Sequence, residues 1–256
     1  MLMNFIHKAG GWCLVIFLIA SANILFAQTS GAQTPQRFER EITKSVRADY
    51  LLFLPADYDK QKERRWPLIL FLHGAGERGT NLAKVKVHGP PKLVASKPEF
   101  PFIVISPQCP DGQIWSNEVL MELIDHVTKE QRVDTNRIYL TGLSMGGYGT
   151  WSLALAHPDR FAAIAPICGG GSTLQILLPD PQKAQALRQL PVWAFHGAKD
   201  KLVVQEETER MIQALKRIGN QPRLTIYPEA EHDSWTETYN NQELYDWFLQ
   251  HDLSRR

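Results

Sequence analysis

Apolar runs and amphipathic segments alternate along most of this chain. The apolar runs are typical of buried strands: Leu68–Leu72, Phe102–Ile105, Ile138–Leu140, Phe161–Ile167, Val192–Phe195 and Arg223–Tyr227. Apolar residues at helical spacing predict helices in the segments between them: 116–133, the stretch after Ser144, Glu206–Ile218 and Tyr239–Leu249. This alternation predicts an α/β fold, with a mostly parallel central sheet and helices on both of its faces.

The remaining organisation follows from the length of the chain and of its connections. Phe38–Val46 and Tyr50–Leu54 are expected to form two opening strands. With 256 residues in all, residues 37–256 are long enough for one catalytic domain. About 24 residues, Cys168–Pro191, connect two of the central strands, which leaves room for only a minimal cap. We therefore expect an open, shallow site.

The N-terminus has the pattern of a secretory signal peptide. His7 and Lys8 precede an apolar run, which small residues and then polar residues follow. We assign residues 1–27 to this signal, with cleavage after Ala22 or Ala27, and residues 28–36 to a linker.

An uncleaved membrane anchor is the rival interpretation of this segment. Ser21 and Asn23 interrupt the run, which is short for a membrane-spanning helix of about 20 apolar residues. We expect a secreted or periplasmic protein with no stable membrane association after cleavage.

The most informative motif is Gly142–Gly146, in which Ser144 stands between two glycines after a strand and before a helix. This is the sequence form of a nucleophile elbow. The serine must occupy a strained turn with its hydroxyl exposed, so the flanking positions have no room for side chains. The motif predicts Ser144 as a catalytic nucleophile.

A serine nucleophile needs a base and a carboxylate that orients the base. Asp200 and His232 each follow a predicted strand, and the order Ser144, Asp200, His232 is that of an elbow-type triad. Asp180, Glu231 and Asp233 are weaker candidates for the acid. Of the other histidines, His73 and His196 lie in His-Gly turns, where a hydrogen bond to the backbone is the more typical role, and four lie away from the expected position of the base: His88, His126, His157 and His251.

Acyl transfer also requires donors for an oxyanion. The N–H of Met145, directly after the nucleophile, is one candidate, and the loop that begins at His73 supplies the other. Ala75 is the favoured donor in that loop, with Gly76 as the alternative. Glu77 and Arg78 extend the loop, and a surface salt bridge or a contact with substrate explains them equally well.

Composition narrows the possible functions. The formal net charge of +1 gives no electrostatic reason to expect a nucleic-acid partner. The sequence contains no HExxH, paired CxxC or GxxxxGK motif, so neither a metal nor a nucleotide cofactor is predicted. Cys109 and Cys168 would remain after cleavage, as a disulfide or as free buried thiols.

Several motifs together resemble one enzyme group, and they cover about residues 37–252: HGAGERG from His73, SPQCP from Ser106, RIYLTGLSMGGYGTW from Arg137, HPDRFAAIA from His157, FHGAKD from Phe195 and HDSWTETY from His232. They resemble the secreted α/β-hydrolases of the esterase/polyhydroxybutyrate-depolymerase-like group, which is often labelled predicted peptidase and is related to feruloyl and acetyl-xylan esterases. The resemblance implies the α/β-hydrolase fold, with Ser144 as nucleophile, Asp200 as acid and His232 as base.

The expected function is that of a secreted serine carboxylesterase that needs no cofactor. Its substrate would be a small-molecule ester or an ester linked to a polysaccharide, and Trp115 and Trp235, just past strand ends, are candidates to line the substrate site. A serine peptidase of the prolyl-oligopeptidase type is the alternative. A binding protein without catalysis would require a broken triad, and all three residue types are present.

Overall fold

The computed structural model describes residue 33 and residues 35–256, and Ser45–Arg256 form one compact unit. Its centre is a seven-stranded sheet in the order β1-β3-β2-β4-β5-β6-β7. The strands are β1 (Tyr50–Phe53), β2 (Trp66–Leu72), β3 (Ile103–Pro107), β4 (Val133–Leu143), β5 (Ala163–Ile167), β6 (Trp193–Gly197) and β7 (Arg223–Tyr227). All neighbouring strands are parallel except the edge strand β1, which pairs antiparallel with β3.

The helices are α1 (Gly89–Leu93), α2 (Asn117–Glu130), α3 (Met145–Ala156), α4 (Thr173–Leu177), α5 (Ala184–Gln189), α6 (Glu206–Arg217), α7 (Trp235–Asn240) and α8 (Gln242–Leu249). Short 3-10 helices cover Ala75–Glu77, Leu82–Val87 and Leu253–Arg255. The predicted α/β class, with its mostly parallel sheet, is confirmed.

The continuously apolar sequence of strand β2 is explained by its position in the sheet. Successive side chains of a strand point to opposite faces of the sheet. Leu68 and Leu70 belong to one buried cluster, which includes residues of α2, α3 and α6, whereas Ile69 and Phe71 belong to a second cluster with residues of α7 and α8. Both faces of the sheet are therefore buried under helices, as the sequence predicts.

The predicted strand over Phe38–Val46 is wrong. The structure has no strand there, and Phe38 and Ile42 are 85% and 81% exposed. Phe38, Ile42 and Val46 recur at every fourth position, so on a strand the charged Arg40 and Lys44 would lie on the same side as these three residues. A strand also needs a neighbour for its backbone hydrogen bonds and burial for an apolar side, and this pattern supplies neither.

The predicted closing helix, Tyr239–Leu249, is two helices. Asn241 has an extended backbone, and its side chain accepts a hydrogen bond from Glu243 N at 2.9 Å. Asn is a good helix N-cap because its short side chain satisfies a free N–H of the first turn. Asn241 thus ends α7 and starts α8.

The cap is minimal, as expected. Between β5 and β6 the chain forms only α4 and α5, which are five and six residues long. The predicted signal peptide, residues 1–27, and most of the predicted linker lie outside the described residues. Within the described part of the chain, no helix has the length and apolar character needed to cross a membrane.

Candidate active site

Ser144 occupies the sharp turn between β4 and α3. Its φ of 53° and ψ of −118° are strained for a residue with a side chain. A Cβ at Gly146 would lie 1.9 Å from Leu72 O, and one at Gly142 would lie 2.4 Å from Gly146 O. Only glycine fits at either position, so the spacing of the motif is a direct consequence of how closely β2, β4 and α3 approach each other.

The structure brings Ser144, His232 and Asp200 into one hydrogen-bonded chain. Ser144 Oγ lies 2.9 Å from His232 Nε2, and His232 Nδ1 lies 2.7 Å from Asp200 Oδ2. The loops after β4, β6 and β7 supply the three residues, and parallel strands carry these loops to the same edge of the sheet. Separations of 56 and 32 positions along the chain are thereby reduced to hydrogen-bond distance.

Asp200 is held in one orientation by several donors. Its Oδ1 accepts hydrogen bonds from Leu202 N and Val203 N, both at 2.9 Å. Burial alone raises the pKa of the carboxyl, but the hydrogen bonds from His232 and from these two N–H groups outweigh burial, and the pKa lies below its usual value. The ionised carboxylate only accepts hydrogen bonds, so His232 Nδ1 carries a proton and Nε2 is left to accept from Ser144 Oγ.

The rival acids are placed elsewhere. Asp180 accepts from Gln182 N at 3.0 Å in the loop between α4 and α5. Glu231 and Asp233 flank His232 in sequence, but both are exposed. The carboxylate that bonds to His232 is that of Asp200.

The loop after β2 lies against the elbow. A Cβ at Gly74 would be 2.8 Å from the side chain of Leu143, the residue before Ser144. Ala75 begins the 3-10 helix, and Met145 begins α3. The first N–H groups of a helix have no acceptor within it, so the N–H groups of both residues are available to a ligand.

Buried polar contacts fix the shape of this loop. The ring of His73 donates from Nδ1 to Gly74 O at 2.6 Å and accepts at Nε2 from Cys109 N at 3.0 Å. Gln108 Nε2 donates to the carbonyl oxygens of Glu77 and Asn81, at 2.7 and 3.0 Å. The SPQCP segment, which begins in the last two residues of β3, therefore supports the loop, a role that its sequence alone does not reveal.

Glu77 and Arg78 take different roles in the loop. Glu77 Oε2 is buried, 3.9 Å from His73 Nδ1. Arg78 donates to the carbonyl oxygens of Ala75 and Gln113, at 3.0 and 3.3 Å. The Arg78 guanidinium therefore binds the loop backbone and joins it to the segment before α2.

The two candidate tryptophans lie on different sides of the site. Trp115 lines an open cleft of about 640 Å³, whose lining includes Met145, Tyr148 and Gly170, and its Nε1 donates to His73 O at 3.2 Å. Trp235 stands edge-on against His232, with ring centroids 5.2 Å apart, and it lines a separate pocket with His88. Trp115 therefore borders a cleft that Met145, the residue after Ser144, also lines, whereas Trp235 packs against His232.

Cys168 is a buried neighbour of Ser144 that the sequence does not single out as a site residue. It follows β5 with a φ of 40°, and its Sγ lies 3.3 Å from Ser144 N. Burial raises the pKa of the thiol to about 12. Cys168 and Cys109 are both free thiols, and the only sequence signal at Cys168 is its position between a strand end and three glycines.

Cys168, Asp200 and His232 offer possible metal-ligand atoms within 4.8 Å of one another. A cysteine binds a metal as the thiolate. The raised pKa of Cys168 keeps the thiol protonated near neutral pH, and Asp200 and His232 already bond to each other. These three residues fit a proton-transfer site better than a metal centre.

Comparison with known proteins agrees with this geometry. The chain is 28% identical over 192 residues, 71% of its length, to the bifunctional acetylxylan esterase/xylanase XynS20E of Neocallimastix patriciarum. Over 51 residues, 20% of its length, it is 39% identical to the poly(3-hydroxyalkanoate) depolymerase C of Paucimonas lemoignei.

Among solved structures, a thermostable esterase is 34% identical, with a TM-score of 0.63 over 79% of this chain. The matched regions cover 26% of XynS20E, 12% of the depolymerase and 59% of the thermostable esterase. The expected α/β-hydrolase fold and the expected relationship to esterases are confirmed. Residues 110–246, which include Ser144, Asp200 and His232, match the dienelactone hydrolase family, and the chain belongs to this family of hydrolases.

Proposed function

We propose that the protein is a serine carboxylesterase in which Ser144 is the nucleophile, His232 the general base and Asp200 the residue that orients the base. The observation that carries this proposal is the hydrogen-bonded chain from Ser144 Oγ through His232 to Asp200, with distances of 2.9 and 2.7 Å. The neutral His232, with its proton on Nδ1, can accept the serine proton at Nε2.

The reaction proceeds in two halves. Ser144 Oγ attacks the ester carbonyl while His232 takes the proton, and the resulting oxyanion accepts hydrogen bonds from Met145 N and Ala75 N. His232 then gives the proton to the departing alcohol, which leaves an acyl group on Ser144. Water, activated by His232 in the same way, releases the acid and restores the serine.

The cleft beside Ser144 supports an ester with an apolar or aromatic portion. Four large side chains line one part of it: Ile114, Trp115, Met145 and Tyr148. Small and polar residues complete the lining: Gly149, Ser152, Gly170, Gly171, Ser172 and Gln175. The minimal cap leaves the cleft open, so an ester attached to a polysaccharide can approach as well as a small ester. XynS20E, an acetylxylan esterase in part, is a relative with such a substrate.

We also propose that the protein acts outside the cytoplasm, secreted or periplasmic, without nucleic-acid partners and without stable membrane association after cleavage. The charged start, apolar run and small residues of positions 1–27 support export. The intact mass of the protein, measured in the cytoplasm of the producing cells and outside it, tests the proposed export. We expect a chain cleaved after Ala22 or Ala27, and a full-length chain in the cytoplasm would contradict the proposal.

A matched panel of substrates tests the activity: short-chain aryl esters, methyl ferulate, acetylated xylan and aminoacyl anilides, each with wild type and Ser144→Ala. Ser254→Ala is the control because Ser254 lies near the C-terminus and bonds to Asp252. We expect ester hydrolysis that Ser254→Ala retains and Ser144→Ala loses. Anilide hydrolysis without ester hydrolysis would favour the peptidase, and ester turnover by Ser144→Ala would reject the mechanism.

A further inference from the structure

A second histidine, His196, lies against the carboxylate of Asp200 on the side away from solvent. It is fully buried on β6, four residues before Asp200. Its Nε2 lies 2.8 Å from Val203 O and 3.3 Å from Asp200 Oδ2, and its Nδ1 lies 2.7 Å from Thr208 Oγ1 on α6. The ring therefore connects α6 to the loop that carries Asp200.

The partners of Nε2 determine that this nitrogen carries a proton. A carbonyl oxygen and an ionised carboxylate oxygen can only accept hydrogen bonds. The hydroxyl of Thr208 has one hydrogen and also lies 2.8 Å from Gly169 O, so a neutral ring protonated at Nε2 requires that this hydrogen point to Nδ1. An Nε2–H group thus faces Val203 O and Asp200 Oδ2.

We propose that His196 is a positioning residue of the reaction: its hydrogen bond to Val203 O anchors the loop whose Val203 N donates to Asp200, and its Nε2–H dipole lies close to Asp200 Oδ2. This inference rests on the proposed esterase function. Asp200 Oδ2 faces two imidazoles, His232 at 2.7 Å and His196 at 3.3 Å. An N–H dipole whose positive end lies near the carboxylate makes that carboxylate stabilise a protonated His232 less.

The other titratable groups around this pair do not replace His196. The Cys168 thiol, after β5, is held protonated by burial. Glu207 on α6 is paired with Arg210 at 2.6 Å. Glu231 and Asp233, which flank His232 after β7, are exposed, as are Lys199 and Glu229, which pair with each other, so solvent screens their effect.

Two substitutions of His196 distinguish the effect of its Nε2–H donor from the effect of its packing. His196→Gln keeps a side-chain N–H that can reach the position of Nε2, whereas His196→Met has a similar length and no donor. For His196→Met we expect kcat to fall about tenfold with KM little changed, and the acid limb of kcat/KM to move about one unit to higher pH. His196→Gln should recover most of the rate and a limb near that of wild type. Indistinguishable pH profiles for the two variants would overturn the proposal.

Nitrogen-15 NMR of the imidazoles in the wild-type protein tests the proton placement without activity or substitution. His196 should be protonated at Nε2, whereas His73, which accepts from Cys109 N at Nε2, should be protonated at Nδ1. An unprotonated Nε2 in His196 would overturn the proposal even if ester hydrolysis is established. The predicted tautomer in a protein that hydrolyses no ester would instead locate the failure in the proposed function.

Discussion

Two His-Gly pairs with buried histidines, His73-Gly74 directly after β2 and His196-Gly197 at the end of β6, serve different purposes. His73 contacts main-chain groups on both ring nitrogens, Gly74 O and Cys109 N. His196 contacts a main-chain oxygen, the hydroxyl of Thr208 and the carboxylate of Asp200. The first ring fixes the shape of a loop, whereas the second touches a group that takes part in proton transfer.

The difference shows that partners, rather than the local sequence, decide what a buried histidine does. Loss of His73 should disturb the loop that carries Ala75 and reduce stability, without shifting the acid limb of the pH–rate profile. Substitutions that alter the hydrogen-bonding groups around Asp200 should change the reaction rate and its pH dependence, with a smaller effect on the stability of the fold. The following substitutions separate the two sets of effects.

The largest expected effect is that of Asp200→Asn. The amide can donate to His232 Nδ1 and so favours the wrong tautomer, which removes the base from Ser144. We expect kcat/KM to fall about 10⁴-fold. Asp180→Asn removes the charge of a carboxyl group in a different loop but keeps an oxygen that can accept from Gln182 N, and it should stay within about twofold of wild type. Steady-state kinetics on an aryl ester measure both, and equal losses would contradict the assignment of the acid.

His73→Leu should act mainly through the fold. It leaves the buried N–H of Cys109 without its acceptor, which costs about 2 kcal/mol of the free energy of unfolding. Because the loop with Ala75 loses its support, kcat should also fall about tenfold, less than the loss of a whole oxyanion donor. Denaturant unfolding and a pH–rate profile check this. A shifted acid limb would break the distinction between His73 and His196.

Trp115→Ala should change substrate recognition rather than proton transfer. The indole lines the cleft next to Met145, so KM for aromatic esters should rise about tenfold, with a smaller change for acetyl esters. Trp115→Phe keeps an aromatic ring without the hydrogen bond to His73 O and is the matched control. Equal changes of KM for aromatic and acetyl esters would place the acyl group elsewhere.

The smallest expected effect is a pH dependence of stability. Burial lowers the pKa of His73 below its ordinary value of 6.5, although Gly74 O and Glu77 oppose the shift. The neutral ring therefore stabilises the fold fully above about pH 6.5, and this contribution is lost as the pH falls from there through the lowered pKa. The Tm difference between wild type and His73→Leu should narrow from pH 7.5 to pH 5. A widening difference would contradict the direction of the shift.

The fold was largely predictable because both faces of the sheet are buried. Residues such as Leu68 and Ile69 point to opposite faces and must both be apolar, so the strands appear as continuous apolar runs. Phe38–Val46 shows where this reasoning fails, since a few apolar residues among charged ones do not identify a neighbouring strand. The break between α7 and α8 depends on the conformation of one residue, Asn241. The spacing of apolar residues along the whole segment does not reveal it.

The site was predictable where its geometry constrains residue type over a short stretch. Gly142 and Gly146 have no space for a side chain, so the elbow is visible in five letters of sequence. The network of His196, Thr208 and Gly169 joins β6, α6 and the end of β5, and no short pattern connects these segments. The sequence shows that His196 and Asp200 are four positions apart. The role of their contact follows only from the positions of Val203 and Thr208, which are the hydrogen-bond partners of the His196 ring.

Covalent labelling with an aryl fluorophosphonate tests the assignment of Ser144 without assuming a natural substrate. An activated serine should take up one phosphonyl group per chain, with loss of esterase activity in proportion, and the modified peptide should contain Ser144. Ser144→Ala should remain unlabelled and inactive, whereas Ser254→Ala should label as wild type does. Stoichiometric labelling at another residue, or ester turnover that survives complete labelling of Ser144, would contradict the proposed mechanism.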